Sequence, residues 1–268
     1  MRFLRKNLIQ FFILFVFFCF FSSCTEWSSG YVPIKGKIFF KVVEGHREPY
    51  CDCEPEIILS MWTEEIFGCC NFHIESEMLR MGNNITINLL GIYMPSVCLT
   101  ALGPASSSEF LDLPEGVYSL NFVHRFDLDR YDLIVSDSSL EVIRKNARFT
   151  EPEVEVFWRY PPNSFVYFCG TLTETSWICQ DFLNILLSEV NLQEIYFPDF
   201  GEACYPRSSM GHYYDMPARY FLYESEEDFD RAGEVLEAYT HAVIENYSGV
   251  SLSFMNWKDK HYASWLFD

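Results

Sequence analysis

Runs in which apolar and polar residues alternate recur over residues 32–158, and this pattern limits the fold more than any other feature of the sequence. In one run, Tyr118, Leu120 and Phe122 are separated by residues of lower hydrophobicity. Alternation with a period of two puts one set of side chains on a buried face of a β-strand and the other set toward water. About nine such runs occur, near residues 34–43, 56–62, 70–74, 85–93, 97–102, 118–122, 131–136, 140–143 and 153–158.

Turn-forming residues separate these runs. They cluster at residues 82–84, 103–104, 114–116 and 137–139, where glycine, proline, asparagine, aspartate and serine are frequent. Many short strands with regular turn signals and no helical pattern are typical of an antiparallel β-sandwich. The sequence therefore predicts an N-terminal antiparallel β-sandwich over residues 32–160.

One turn in this region carries a more specific pattern. The segment 113–120 reads LPEGVYSL, with Pro114 setting the turn and Tyr118 entering the core. It resembles the turn and strand of prealbumin-like and carboxypeptidase-regulatory-like sandwich modules of exported proteins. The resemblance covers eight residues and implies an adhesive or scaffolding module.

The composition changes at Pro161-Pro162, because consecutive prolines resist both helices and central strands. Beyond them, residues 164–268 alternate between element types. Strands are predicted at 165–169, 192–197, 219–223, 250–254 and 262–267. Helices are predicted after Thr175-Ser176 and after Ser225, the second with Asp228 completing a capping box.

The order β-α-β-β-α-β of these elements is that of a ferredoxin-like α+β domain, a fold that serves many functions. The connection between its second and third strands, residues 201–217, is long and contains Cys204, Arg207, His212 and Tyr213. Long connections often carry function, so this loop is predicted to form a contact surface.

The N-terminus has the three parts of a secretory signal peptide. Arg2, Arg5 and Lys6 precede an apolar run over residues 8–21, and small residues follow. The run is shorter than a membrane span of about 20 residues, so residues 1–23 are predicted to be a signal peptide. An uncleaved signal anchor is the alternative.

The end of this run, Phe21-Ser22-Ser23-Cys24, resembles the lipobox of bacterial lipoproteins. The resemblance implies that Cys24 becomes the mature N-terminus, carries lipid on its sulfur and begins a tether over residues 24–31. Phe21 departs from the family, which usually has leucine or another aliphatic residue there. An ordinary signal peptide cleaved near Ser23, giving a secreted protein, is the alternative.

The chain has a net charge of −19, which disfavours phosphate backbones, so no nucleic acid partner is predicted. The charge does not indicate disorder, because hydrophobic residues make up 49% of the sequence and can fill a core. The predicted contacts are a membrane through the N-terminal lipid and a protein or carbohydrate partner.

Eight cysteines remain after Cys19 and Cys24. In an exported protein some of them are expected to form disulfides, although spacing does not give the pairing. A zinc site is the alternative for the first four, but their spacing lacks the usual loop between ligands. The candidates are Cys51, Cys53, Cys69, Cys70, Cys98, Cys169, Cys179 and Cys204.

Cys179 could instead be a nucleophile, because it lies in the first turn of a predicted helix, where the helix dipole lowers a thiol pKa. It would need a base such as His212. The competing prediction is a disulfide to Cys169 or Cys204. His241 is interpreted as a solvated helix residue and His124 as an ordinary strand-end residue.

Two other motifs each have a functional interpretation and a non-functional one. The acidic run 127–132 could bind calcium, but Arg130 interrupts it, so a solvated hairpin loop is predicted. Asn84 and Asn246 begin N-x-S/T sequons, which would matter only in a eukaryotic secreted glycoprotein.

No motif for a catalytic residue, a metal or a cofactor stands out, and none is predicted. The sequence predicts an exported, lipid-anchored protein of the cell envelope that binds or scaffolds. The alternative is a secreted hydrolase or thiol enzyme with its site near Cys179 and the 201–217 loop.

Overall fold

The computed structural model describes residues 31–208 and 214–267. The predicted signal peptide, the Cys24 anchor and the tether up to residue 30 lie outside this range, as do His212 and Tyr213. The described chain is mostly β, with one large curled sheet and one smaller sheet. Eighteen strands and two α-helices were assigned in these residues.

Residues up to Trp158 form eleven strands. They are β1 Tyr31–Val32, β2 Ile38–Gly45, β3 Glu56–Phe67, β4 His73–Met81, β5 Asn84–Tyr93, β6 Gly103–Leu111, β7 Gly116–His124, β8 Asp127–Val135, β9 Ser139–Asn146, β10 Thr150–Pro152 and β11 Val156–Trp158. The rest of the chain forms β12 Ser164–Thr171, α1 Trp177–Glu189, β13 Gln193–Ile195, β14 Glu202–Ala203, β15 Tyr214–Asp215, β16 Arg219–Leu222, α2 Glu226–Ala242, β17 Ser251–Asn256 and β18 His261–Ala263.

The large sheet has the order β10-β2-β3-β6-β4-β5-β7-β8-β9-β11-β14, with β1 beside β5. Most neighbours are antiparallel, but β7 runs parallel to β5. After β5 the chain crosses to β3, beside which β6 lies antiparallel. It then returns to β5, so β7 runs in the same direction as β5. The prediction of a purely antiparallel sandwich is therefore corrected to one mixed sheet.

This sheet curls around a single apolar core. The alternation in β2 buries Ile38, Phe40 and Val42, and the Phe40 ring lies 4.7 Å from Phe122 and 5.0 Å from Tyr131, between ring centroids. β4 is joined to β6 by a single ladder pair, His73 with Ser106. The period-two pattern of Tyr118, Leu120 and Phe122 identified a buried face correctly, because all three residues are buried.

One of the predicted strands is wrong. Residues 97–102 are not a strand; they lie in an irregular segment whose Val97 and Leu102 are exposed, and β6 begins at Gly103. A disulfide at Cys98 holds this segment to Cys69, and that long-range constraint is invisible in a local hydrophobic pattern.

The acidic run 127–132 is part of strand β8 and not a hairpin loop. Asp129 is buried, and its carboxylate accepts hydrogen bonds from the backbone N–H groups of Arg148 (2.9 Å), Phe149 (2.9 Å) and Thr150 (2.7 Å) and from the Thr150 hydroxyl (2.7 Å). These four donors occupy both carboxylate oxygens. Asp129 therefore ties β8 to the segment that leads into β10.

The smaller sheet has the order β13-β16-β12-β17-β18, with β15 beside β12, and every ladder in it is antiparallel. Both helices pack on the face that carries Phe165, Tyr167 and Phe254. On the opposite face, Phe197 and Tyr205 pack against Tyr220, with ring centroids 4.9 and 5.9 Å away.

The predicted start of α2 is confirmed, because the Ser225 N–H donates to the Asp228 carboxylate over 2.9 Å. The helix ends at Ala242. At α1, the cap predicted at Thr175-Ser176 makes no side-chain bond to the helix, because a 3₁₀ turn leads directly into it.

Glu194 and Arg219 form a paired ion contact between β13 and β16, with two N–O distances of 2.6 Å. The hydrogen bonds from Arg219 lower the pKa of Glu194 below its ordinary value near 4.5. A carboxyl group whose pKa is lower in the folded state than in the unfolded state stabilises the folded state at pH values above its ordinary pKa. This contribution to stability is lost as the pH falls through the lowered pKa.

We therefore expect the Glu194→Gln variant to lose less stability than the unmodified protein as the pH falls from neutral through the ordinary carboxyl pKa near 4.5 and below it. Urea denaturation at a series of pH values measures this difference. Glu237→Gln, at an exposed position of α2, is the control. Equal pH dependence of the Glu194→Gln variant and the unmodified protein would show that the pair does not couple folding to pH.

Candidate functional site

Three disulfides are present, so the prediction of disulfides is confirmed. The pairs are Cys51–Cys53, Cys69–Cys98 and Cys169–Cys179. Cys70 and Cys204, which were also candidates, are free thiols, exposed and half-buried respectively. Stable disulfides indicate an oxidising, extracellular environment.

Cys179, the candidate nucleophile, is bonded to Cys169, one of the two partners considered for it. Both residues are buried, and the bond joins β12 to the first turn of α1. Neither sulfur is available as a thiolate in this state. Its suggested base, His212, lies outside the described residues.

Cys204 does not replace Cys179 as a reactive thiol. Burial, and secondarily the charge of Glu44, raise its thiol pKa well above the ordinary value. The thiol therefore stays protonated at neutral pH, whereas a nucleophilic cysteine needs a lowered pKa.

The predicted contact loop begins by crossing between the two sheets. β14 pairs in parallel with β11, and the Trp158 indole N–H donates to the Phe200 carbonyl over 2.8 Å. Gly201 has a φ of +77°, and a Cβ there would lie 2.5 Å from the Val156 carbonyl oxygen. Glycine is thus required for the chain to come this close to β11.

This crossing creates an open groove of 880 Å³, here called the seam groove, between residues 153–156 and 200–207. Three carboxylates, of Glu153, Glu155 and Glu202, line it with a single arginine, Arg207. Lys41 approaches Glu202 to 3.3 Å from outside the lining. The groove is predominantly acidic, which suits a cationic or neutral group in a binding partner.

Beneath the seam groove, buried polar contacts connect the two sheets. Glu44, on β2, accepts hydrogen bonds from Arg159 Nε (2.7 Å) and from the Tyr160 N–H (2.8 Å). The Tyr205 hydroxyl donates to the Ser164 carbonyl over 3.0 Å, and burial raises the pKa of both Tyr160 and Tyr205. These phenols stay protonated, and their role is structural.

The loop that contains the Cys51–Cys53 disulfide also connects the two sheets. His46 Nε2 lies 3.0 Å from the Trp257 carbonyl, and the Cys53 N–H donates to the Lys258 carbonyl over 3.1 Å. The Tyr50 N–H donates to the Asp259 carboxylate over 2.6 Å. The first sheet is therefore attached to the second at two places.

The other sequence candidates are dispersed. The rings of His46 and His124 contact carbonyl oxygens, and the three other described histidines contact carboxylates. Within the described parts of the chain, no histidine ring is hydrogen-bonded to a thiol or hydroxyl nucleophile. Asn84 and Asn246 are both exposed.

In residues 31–208 and 214–267, no group of three or more His, Cys, Asp or Glu side chains is arranged to hold a metal ion. Neither helix of that part of the chain has the length and apolar composition of a membrane span. No protein-family model, curated protein or solved structure matches this chain.

Sequence reasoning missed the contact of Glu44 with Arg159 and Tyr160. A signal was present for Glu44, because it continues the inward-facing series of Phe40 and Val42 on β2. A carboxylate at a buried strand position needs a partner, and Arg159 supplies it.

Proposed function

We propose that this protein is exported, anchored to a membrane by lipid on Cys24, and acts in the cell envelope as a binding or scaffolding module. The observation that carries the proposal is the set of three disulfides in a chain that begins with a signal-like segment. Disulfides form in the compartments that such a segment leads to.

Binding is favoured over catalysis by the state of the candidate groups. Cys179 is oxidised, the Cys204 thiol has a raised pKa, and the seam groove is open and lined by carboxylates. The partner is a protein or a carbohydrate. A nucleic acid is disfavoured by the net charge of −19.

The proposed architecture is a two-domain one, with the curled mixed sheet as the first unit and a ferredoxin-like second unit. The strand order β13-β16-β12-β17, which is second, third, first and fourth in a βαββαβ unit, supports the second assignment, with β18 as an addition. The resemblance of segment 113–120 to prealbumin-like modules is supported by Tyr118, which is buried and donates to the Pro114 carbonyl over 2.7 Å.

The anchor is tested by intact and peptide mass spectrometry of the protein purified from its own membranes without reductant. We expect the mature chain to begin at Cys24 with added acyl mass and to contain the three disulfides. The Cys24→Ser variant is expected to lose the acyl mass and to leave the membrane fraction, because the acyl chains provide the membrane affinity.

Cys19→Ser is the matched control, since it removes a thiol from the apolar run and leaves the lipobox-like segment intact. This variant should keep both the lipid and the membrane location. A mature chain that starts elsewhere without lipid, or that carries sugar on Asn84 or Asn246, would refute the lipid anchor.

A further inference from the structure

A second groove, here called the sheet groove, lies on the outer face of the large sheet and has a volume of 600 Å³. Its floor is formed by β5 and β7, which carry short polar side chains such as Thr86, Asn88 and Asn121. Its walls are formed by β4 and β8, which carry long side chains such as Met81 and Arg130. Short side chains between two rows of long ones leave a trough along the strands.

The strand register shows how the trough is built. Thr86 pairs with Leu79 on one side and with Asn121 on the other, and Asn121 pairs with Arg130. These four residues form one row across the sheet, from wall to wall. From residue 84 to residue 88 the floor extends about 13 Å along β5.

The floor presents polar groups that the protein leaves available. Thr86 and Asn88 are half-buried, and their side chains have no hydrogen-bond partner among the described residues. Asn121 is held in place, because its amide N–H₂ group donates to the Ile85 carbonyl (3.1 Å) and the Ser119 carbonyl (3.2 Å). The groove therefore offers both donors and acceptors on a fixed backbone.

The charge of the sheet groove differs from that of the whole chain. The chain has a net charge of −19, but none of the ten lining residues is acidic and one, Arg130, is cationic. Arg130 makes no ion pair within the described ranges. The nearby Asp132 is neutralised by Lys145 at 2.8 Å. A neutral or anionic ligand meets no carboxylate in this lining.

The backbone excludes one common mode of binding. β5 is already paired with β4 and β7, and β7 with β5 and β8, so neither floor strand can accept an added peptide strand. A ligand here must use side chains alone. Amide and hydroxyl groups that both donate and accept hydrogen bonds match the hydroxyl groups of sugars, and apolar wall residues such as Leu128 match their C–H faces.

We infer that the sheet groove binds an oligosaccharide, with Arg130 placed to contact the carboxylate of an acidic sugar residue. This inference rests on the proposed binding function and specifies its ligand class. Arginine suits this contact because its guanidinium group presents a planar set of donors to a carboxylate.

The test is isothermal titration calorimetry with the full-length protein in detergent micelles. The probes are an oligosaccharide of galacturonic acid and an uncharged galactose oligosaccharide of equal length. We expect both to bind and the acidic one to bind more tightly. Arg130→Ala should weaken binding of the acidic probe about tenfold or more and leave the neutral probe unchanged.

A second variant tests the floor. Thr86→Val with Asn88→Leu replaces two polar floor groups by apolar groups and should weaken both probes about tenfold or more. Arg144→Ala, which removes an exposed arginine from β9 outside the groove, is the control and should bind like the unmodified protein. Near-ultraviolet circular dichroism checks that each variant is folded.

Failure of either probe to bind a lipidated, disulfide-bonded preparation would overturn the inference and leave the proposed anchor standing. Equal weakening by Arg144→Ala and Arg130→Ala would overturn it too, since the effect would then be one of net charge. Preferential binding of an asparagine-rich peptide would assign the groove to a protein ligand. Sugar binding by a preparation without lipid on Cys24 would support the groove and refute the anchor.

Discussion

The Asp129→Ala variant is expected to lose about 3–5 kcal/mol of unfolding free energy, a large part of the stability of an ordinary domain. The Asp129 carboxylate is buried and accepts hydrogen bonds from three backbone N–H groups, at residues 148–150, and from one hydroxyl. Alanine would leave these donors without an acceptor, and each unsatisfied buried donor costs about 1–3 kcal/mol.

Urea denaturation of the oxidised protein, followed by circular dichroism, measures this loss. Asp127→Ala, which removes an exposed carboxylate from the same strand, should change stability by less than about 0.5 kcal/mol. Asp129→Asn keeps the shape and one acceptor oxygen and should fall between the two. A loss below about 1 kcal/mol for Asp129→Ala would mean that water replaces the carboxylate and that the buried network is unimportant.

The second large effect is expected in the smaller sheet. Phe165 is fully buried, and its ring lies 5.5 Å from Phe221, 5.5 Å from Phe229 and 5.2 Å from Phe254, between centroids. It thus joins two strands and α2 in one aromatic cluster. Phe165→Ala should cost about 3–5 kcal/mol, because a large side chain is lost and the rigid neighbours leave a cavity.

Phe126→Ala is the matched control, since this phenylalanine is fully exposed at the turn between β7 and β8. Its removal should change the free energy of unfolding by less than about 0.5 kcal/mol. Phe165→Leu should be less harmful than Phe165→Ala, because leucine fills more of the cavity. Similar losses for the Phe165→Ala and Phe126→Ala variants would show that the cluster does not hold the helix to the sheet.

Local pattern predicted much of the fold because the period of alternation identifies buried faces directly. The same pattern contained two signals that went unused. Glu44 follows Phe40 and Val42 at inward positions, and Asp129 precedes Tyr131 in the same way. Asp129 was predicted to lie in a solvated hairpin loop and no role was predicted for Glu44, although a carboxylate in register with a core indicates a buried site with partners.

Pairing between distant segments could not be predicted from the sequence. Alternation shows which face of a strand is buried but not which strand lies beside it, so the parallel alignment of β5 with β7 carried no local signal. The pairing of Cys69 with Cys98 was hidden for the same reason. The sheet groove depends on that parallel alignment, because it brings Thr86 beside Asn121.

The position of the 201–217 loop could be predicted from the sequence, but the side chains that surround it could not. The length of residues 201–217 predicted a contact surface, and the structure shows that residues up to Arg207 line the seam groove. The opposite wall of that groove, at residues 153–156, is brought there by tertiary pairing. Spacing could not show that Cys179 pairs with Cys169 and leaves Cys204 as a half-buried free thiol.

Strand β14 limits where recombination can divide the gene for this protein. It lies in the sequence after the start of the second sheet, yet it is the terminal strand of the first, beside β11. A recombination event that breaks the gene at Tyr160 would separate the first sheet from its last strand and would leave Trp158 without Phe200. A recombined protein must therefore either keep residues 199–206 together with the first sheet or supply another edge strand for that sheet.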